Sequence, residues 1–460
     1  MEFLKVDSVE AAREKLLRHG TGLFGNIEVI SAWDAAGRIA AADIYAPEDI
    51  PAFPRSTVDG YAVVSGDTAG AGENMPVFLA LKGCVEMGAP ADMAIGSGEC
   101  AEVPTGGMLP AGADAVVMVE YTDMFGDDGV AVGKSVAHGE NVVRRGEDAK
   151  AGDLLIRRGR RLLPQDIGAL AAAGAVSVPV YVPPRMTVIS TGDELAHPQD
   201  TPHPGRIRDI NTYALSVQAK RSGFNVIHTA VLPDKEDMLT RSVAAAMEGG
   251  DIVIVSGGSS KGKKDLTGEV FSRLADPGVF VSGIAVKPGK PTILGYDGKT
   301  RALLVGLPGH PVSAMIVFEL TLGWLLRELT GCPAPPPIPA RLSCNLASSP
   351  GRLNCQPCRL IARSGGERSG YRADSGNGEN EKADSGGGYE QNGRLAGYGG
   401  GGDERSRRGT DSDSAGYYTA QPVFGKSGLI TTLTQADGYF MVDRGAEGLP
   451  AGSTVMVHLF

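Results

Sequence analysis

Residues 251–265 read DIVIVSGGSSKGKKD. The apolar run Ile252 to Val255 is a strand pattern, and a Gly-Gly-Ser-Ser turn and three lysines follow it directly. In a parallel sheet the loop leaving a strand's C-terminal end faces the ligand crevice. There Gly257, Gly258, Ser259 and Ser260 can offer backbone N–H groups and hydroxyls to an oxyanion. Lys261, Lys263 and Lys264 add positive charge, although a surface turn with solvated lysines would read the same way. Asp265 suits either a metal ligand or a helix cap for Leu266 onward.

Outward from this stretch the same alternation persists. Pro183-Pro184 marks a break, after which come the strand MTVIS, a helix near Thr212 to Ser222, the strand NVIHTAVL, a helix near Lys235 to Met247, and DIVIVS. Strands alternating with helices predict a mostly parallel sheet covered by helices. The last helix of the unit runs from about Pro311 to Leu329, and CPAPPPIP at 332–339 is a stiff linker. Before the break, short strands rich in Gly and Pro (IEVI, YAVV, ADAVVMV) with a helical stretch near Pro164 to Ala173 predict one or two small β-rich domains. After the linker, ARLSCNL, GLITTL, GYFMV and STVMVHL read as strands of a small β-domain. A segment from Arg363 to Gly416 interrupts it. That segment holds 16 Gly and, of Val, Ile, Leu and Met, only Leu395, so burial cannot offset its ordering entropy and disorder is the expectation.

Composition narrows the function. At 460 residues the chain is long enough for several cores. A net charge of −10, from 44 Lys and Arg against 54 Asp and Glu, argues against a broad nucleic-acid face or a polybasic membrane patch. Apolar runs are far shorter than a membrane span. The start, MEFLKVDSVEAAREKLL, is charged throughout and reads as an amphipathic helix, not a signal peptide, which makes a cytoplasmic location the expectation. Six cysteines are too sparse for a disulfide framework. Cys355 and Cys358 have metal-ligand spacing without a second pair, so ordinary thiols in a strand or turn are the better reading.

Other motifs join the loop. In VKPGKP each of Lys287 and Lys290 precedes a proline, which restricts its backbone and can aim its ammonium group; a turn ahead of the strand TILG is the alternative. Gly306-Leu-Pro308-Gly309-His310-Pro311-Val-Ser313 stands directly before an apolar helix, so it is either a capping motif or an anion site at a helix N-terminus. Carboxylates form a complementary set. Asp59 lies in TVDGY, which would also pass for a hairpin turn, and Asp148 lies in RRGED, which would also pass for a charged surface turn. Thr191-Gly192-Asp193-Glu194 and Asp209-Ile-Asn211 flank a Pro-containing loop. Together these are enough carboxylates for a hard divalent cation.

Eight blocks in one order carry a resemblance: IPAFPRSTVDGYAVV (50–64), EVPTGGMLPAGADAVVMVE (102–120), ENVVRRGEDAKAGD (140–153), VISTGDEL (188–195), GRIRDIN (205–211), VSGGSSKGKKD (255–265), VKPGKP (286–291) and GLPGHPVSA (306–314). With them the chain resembles the molybdopterin molybdenumtransferase family, the bacterial counterpart of the gephyrin E domain. The resemblance implies a multi-domain α/β plus β fold: an interleaved N-terminal domain (1–47 and 144–183), a small β-rich domain (48–143), an α/β molybdopterin-binding domain (184–331) and a C-terminal β-barrel-like domain (338–460) carrying the 363–416 insert. It also implies a homodimer whose active site lies between subunits. The activity implied is Mg²⁺-dependent insertion of molybdate into adenylylated molybdopterin with release of AMP. The upstream adenylyltransferase and apo-molybdoenzymes are the partners that follow. By motif, Asp59, Asp148, Asp209, Lys287 and Lys290 are catalytic. Asp59, Asp148, Asp209 and Asp265 are metal ligands, and the TGDE residues, the 257–261 loop and Pro308 to Pro311 with Ser313 bind substrate. His310 departs from the family's usual Asn. A non-catalytic pterin-binding scaffold and a molybdopterin adenylyltransferase are the alternatives.

The chemistry explains such a set. Two unit like charges about 4 Å apart repel by roughly 4 kcal/mol at an effective dielectric near 20. Bringing molybdate to a pyrophosphate therefore needs cations and oriented donors.

Overall fold

The structure is a computed structural model that describes residues 6–126, 128–257, 266–362 and 418–460. The expectations for Gly258, Ser259, Ser260, Lys261 and Asp265, and for the 363–416 segment, lie outside the described residues. The chain divides into two compact units, Met1–Ala334 and Pro335–Phe460.

In the first unit a six-stranded sheet takes the order Asn225–Leu232, Arg185–Thr191, Ile252–Gly257, Leu303–Leu307, Ile293–Asp297, Pro277–Ser282. The first four strands are mutually parallel, and Ile293–Asp297 runs antiparallel to both its neighbours, Leu303–Leu307 and Pro277–Ser282. Ile252, Val253, Ile254 and Val255 are all buried, as a strand covered on both faces requires. Helices Asn211–Ser222, Glu236–Gly249, Leu266–Leu274 and Pro311–Phe318 supply the cover. On one face Leu239 and Val243 meet Val253, Val255, Phe271 and Leu304, and each such side chain contributes about 1.5–3 kcal/mol on burial. Past Phe318 the last helix runs through a π-helical turn, Glu319–Gly323, into Trp324–Thr330.

Strand order fixes where a ligand can bind. From Arg185–Thr191 the chain crosses to Asn225–Leu232 on one side and returns to Ile252–Gly257 on the other. The chain therefore enters and leaves the two adjacent strands Arg185–Thr191 and Ile252–Gly257 from opposite sides of the sheet, a switch point that marks a crevice at the strands' C-terminal ends.

Preceding this sheet, Ile27–Ser31 pairs with Ser177–Tyr181, and Ile44–Tyr45 with Leu154–Ile156, around a core that includes Ala35, Ile156, Leu162, Leu170 and Val180. Between Tyr45 and Leu154 the chain builds a six-stranded sheet, with Tyr61, Val63, Leu79, Cys100, Val117 and Val130 in its core. The expected N-terminal helix starts later than its charge pattern indicates. It spans Val9–Gly20, because the Ser8 hydroxyl accepts from the Ala11 amide at 3.1 Å and caps it.

In the second unit Leu353–Ala362, Tyr418–Pro422, Ile338–Leu342, Thr454–Leu459 and Gly438–Val442 pair in turn, and Gly438–Val442 pairs back onto Leu353–Ala362, closing a barrel of described strands. Phe440, Val457, Cys358 and Ala420 fill it. GLITTL is not one of its strands: Thr431–Thr434 is a short helix. Its buried Leu433 lies three residues from Ile430, a helical interval, while Leu429 is exposed. All six cysteines are free. Cys355 and Cys358 are three apart in one strand, hence on opposite faces, which keeps them from closing on one metal. Among the described residues no helix is long and apolar enough to cross a membrane.

Candidate active site

At the switch point the strand Arg185–Thr191 ends in Thr191, a buried residue whose hydroxyl donates to Asp234 Oδ1 at 2.7 Å. The Asp234 amide donates to Asp193 Oδ1 at 3.1 Å, so the TGDE loop is braced by the neighbouring strand's exit. The Gly192 amide bonds the Leu232 carbonyl at 3.0 Å. Asp193 and Glu194 themselves are exposed to solvent.

Across the loop the Ile207 amide donates to the Glu194 carbonyl at 2.8 Å and the Asp209 amide to the Ala196 carbonyl at 2.9 Å. These bonds lock Asp209 at the start of helix Asn211–Ser222. The Asp209 side chain is only 4% exposed. Its Oδ1 accepts from the Thr212 amide at 3.3 Å, and Oδ2 has no protein partner. A buried carboxylate oxygen without a donor is costly unless a cation or ligand donor meets it.

Asn211, 7% exposed, ties the crevice walls together. Its Nδ2 donates to Ser256 Oγ and to the Gly309 carbonyl, both at 2.8 Å, and Ser256 Oγ donates to the Pro308 carbonyl at 3.3 Å. Thr212 Oγ1 donates to Ser190 Oγ at 2.8 Å. Pro311 opens the helix, Ser313 is buried in its first turn, and Gly309 and His310 are exposed. In the KPGKP turn, Lys287 is exposed and Lys290 half-buried, and the Lys287-Pro288 bond is cis. Gly289 between them has φ +127°, where an added Cβ would lie 2.4 Å from Val317 Cγ2.

Thus Thr191 to Glu194, Asp209, Gly257, Pro308 to Pro311 and Ser313 belong to one sheet edge. Asp59 and Asp148 do not. Asp59 precedes the strand Gly60–Val63, and its Oδ1 accepts from the Thr105 amide at 2.7 Å. The Asp-Gly pair is no hairpin turn: Gly60–Val63 pairs with Glu99–Val103 and Ala115–Met118, and the close approach of Val117 O, 1.9 Å from an added Cβ, excludes any larger residue at Gly60. Asp148 lies exposed in a surface turn, where its amide bonds the Ile50 carbonyl at 3.0 Å. That turn is fastened by Asp49. The Ala151 amide and the Arg145 guanidinium both bond the Asp49 carboxylate, at 2.9 and 2.6 Å, and hold it below the usual aspartate range. Among the described residues no three His, Cys, Asp or Glu side chains gather to hold a metal.

Sequence reasoning did not single out Asp234 or Ser256, and it quoted Asn211 only as part of a motif. Asp234 follows a strand in LPDKED and looks like a turn residue; its role depends on the parallel pairing with Arg185–Thr191.

A mostly parallel α/β domain with a switch-point crevice, joined to β-rich N-terminal parts and followed by a small barrel, defines a multi-domain ligand-binding protein of the enzyme kind. Comparison with known proteins agrees in detail. Residues 7–174 match the MoeA N-terminal region (domain I and II), 187–328 a probable molybdopterin binding domain, and 400–460 the MoeA C-terminal region (domain IV). The chain is 32% identical over 352 residues to the molybdopterin molybdenumtransferase of Haemophilus influenzae, spanning 76% of this chain and 85% of that one. It is 35% identical over 324 residues to molybdopterin molybdenumtransferase 2 of Mycobacterium tuberculosis, spanning 69% and 79%. A crystal structure of the molybdopterin biosynthesis MoeA protein of Pyrococcus horikoshii superimposes with a TM-score of 0.71 at 32% identity, over 99% of each chain. The chain belongs to the MoeA family of molybdopterin molybdenumtransferases.

Proposed function

We propose that this chain inserts molybdate into adenylylated molybdopterin and releases AMP. The observation that carries the reading is the buried Asp209, its Oδ2 unpartnered, at the same sheet edge as the Ser256–Gly257 strand end and the Pro308–Ser313 helix start. Acid and oriented donors meet there, as anhydride cleavage beside an oxyanion needs.

Mg²⁺ is the proposed cofactor. A hard cation takes one or two carboxylates and keeps waters, and the orphaned Asp209 oxygen fits that demand. Asp59 and Asp148 would complete its shell, with Asp265. When bound, the ion would neutralise the pyrophosphate charge. Because Asp59 and Asp148 are seated apart from Asp209 within one chain, the proposal includes a homodimer in which they face the partner's crevice. Lys287 and Lys290 gather the anions, and Ser313 with the Gly309 and His310 backbone orients them.

The test is AMP release from adenylylated molybdopterin, with and without molybdate. The wild-type protein should release AMP only with molybdate. Asp59→Ala should bind the nucleotide yet release little AMP, and Lys290→Ala should turn over poorly. Binding without any AMP release would favour the scaffold, and formation of the adenylylated pterin from ATP the adenylyltransferase; either sinks the proposal.

A further inference from the structure

The Lys287-Pro-Gly-Lys-Pro291 turn is poorly equipped to hold itself in place. Two of its residues are prolines, which donate no backbone hydrogen bond, and Gly289 between the lysines adopts φ +127°. The position of Lys287 and Lys290 is therefore set by what grips the turn at its base. Thr292 supplies part of that grip. Its amide donates to the Lys290 carbonyl at 2.9 Å and its buried hydroxyl to the Gly289 carbonyl at 2.7 Å. The Ile284 amide also donates to the Lys290 carbonyl, at 3.0 Å, and ties the two ends of 284–290 together.

The rest of the grip comes from the far end of the chain. The Asp7 amide donates to the Gly283 carbonyl at 3.0 Å and the Ala285 amide to the Asp7 carbonyl at 2.7 Å, a parallel bridge between Asp7 and Ile284. Asp7 lies outside the helix Val9–Gly20, ahead of its Ser8 cap, so its place depends on a side chain of that helix. Lys15 is that side chain. Helical side chains lean toward the helix N-terminus, and Lys15 Nζ donates to Asp7 Oδ2 at 2.8 Å and to the Phe280 carbonyl at 3.4 Å. The helix is a fixed platform: Leu16 is fully buried, and the His19 ring lies against those of Phe280 and Tyr296, with centroids 4.6 and 4.9 Å apart. Lys15 thus fastens Asp7 to the strand Pro277–Ser282, which leads directly into the gripped residues 283–285.

We infer that Lys15 and Asp7 are positioning residues. Their ion pair fixes the N-terminal segment whose backbone grips residues 283–285, and through that grip it sets where Lys287 and Lys290 present their ammonium groups to the anionic substrate. The role of the two lysines rests on the proposed function, but the grip is a property of the unliganded chain.

The experiment uses the full chain and the variants Asp7→Asn, Lys15→Met, Lys15→Arg and Glu14→Gln. Glu14 pairs with Arg18 on the exposed side of the same helix and serves as the control. Without ligand, hydrogen exchange of residues 283–292 and acylation of Lys290 by an amine-directed reagent are followed by mass spectrometry. KM and kcat are measured with adenylylated molybdopterin and molybdate. Loss of a partly exposed ion pair corresponds to about two- to fivefold in an equilibrium. Asp7→Asn and Lys15→Met should therefore speed exchange in this segment and acylation of the half-buried Lys290. Both should raise KM about two- to fivefold with a smaller change in kcat, because the lysines hold the anion before and during reaction. Lys15→Arg, which keeps the charge, and Glu14→Gln should match the wild type. An unmoved KM in Asp7→Asn and Lys15→Met, whether or not thermal stability falls, would overturn the inference, and so would an equal rise in Glu14→Gln. If the wild-type protein releases no AMP, the functional reading falls and the grip is decided by exchange and acylation alone, wild-type rates in both variants then counting against it. Should Lys15→Met fail to fold, Asp7→Asn, which leaves the bond from Lys15 to Phe280, carries the test.

Discussion

Thr191 and Asp234, 43 positions apart in the chain, share a 2.7 Å hydrogen bond at the ends of two adjacent parallel strands. Asp234 returns a backbone bond to Asp193, so the first acidic loop of the crevice is fastened to the exit of the next strand. Asp234→Ala removes an acceptor from the buried Thr191 hydroxyl. The expected cost is about 1–3 kcal/mol in stability, with kcat/KM for adenylylated molybdopterin falling about tenfold. Urea denaturation and steady-state kinetics check it; unchanged kinetics would show that the brace does not shape the crevice.

Gly289 offers a second handle. At φ +127° an alanine is strained whatever the space, and its Cβ would also meet Val317 Cγ2 at 2.4 Å. Gly289→Ala should cost about 2 kcal/mol or more and shift Lys287 and Lys290 on either side, raising KM for the anionic substrate. Thermal unfolding together with KM measures both; a stable variant with unaltered KM contradicts the placement of the turn.

Acid should loosen the turn that carries Asp148. The Ala151 amide and Arg145 hold the Asp49 carboxyl below its ordinary value of 3.8. For a depressed carboxyl the stabilisation is complete above the unfolded pKa and drains away as pH falls through the folded one. Proteolytic nicking near 144–153 should therefore rise below pH 3.8. In Asp49→Asn that pH dependence should be absent.

At the other end of the scale, burial pushes the Cys100 thiol up to about 11 and the Cys358 thiol up to about 12. An unfolded thiol ionises near 9.0, so a raised folded pKa gives stability that is whole below pH 9.0 and declines as pH climbs above it. The urea midpoint should fall as pH climbs from 9.0 toward about 11, and Cys358→Ala should flatten that fall. Iodoacetamide at neutral pH should leave both residues unmodified in the folded protein, as read by mass spectrometry.

Much of this was legible in the chain. Ile252 to Val255 and the run MTVIS (186–190) announce buried strands because short runs so rich in β-branched residues have few other uses, and the Gly- and Pro-rich blocks after them mark where backbone must meet ligand. GLITTL misled because Leu429, Ile430 and Leu433 satisfy either period over so short a run. Asp-Gly at 59–60 looked like a hairpin because its glycine's real need, the close approach of Val117 O, comes from a strand far along the chain.

Local pattern and composition, then, determined the layer types, the family blocks and the chemistry available: lysines and helix-start amides for anions, aspartates for a cation. Tertiary structure alone decided which of these meet. Parallel pairing of Arg185–Thr191 with both its neighbours brings Thr191 to Asp234 and Asn211 to Ser256 and Gly309, while Asp59 and Asp148 are carried to other layers. Strand order is set by packing between segments distant in sequence, which no local periodicity encodes.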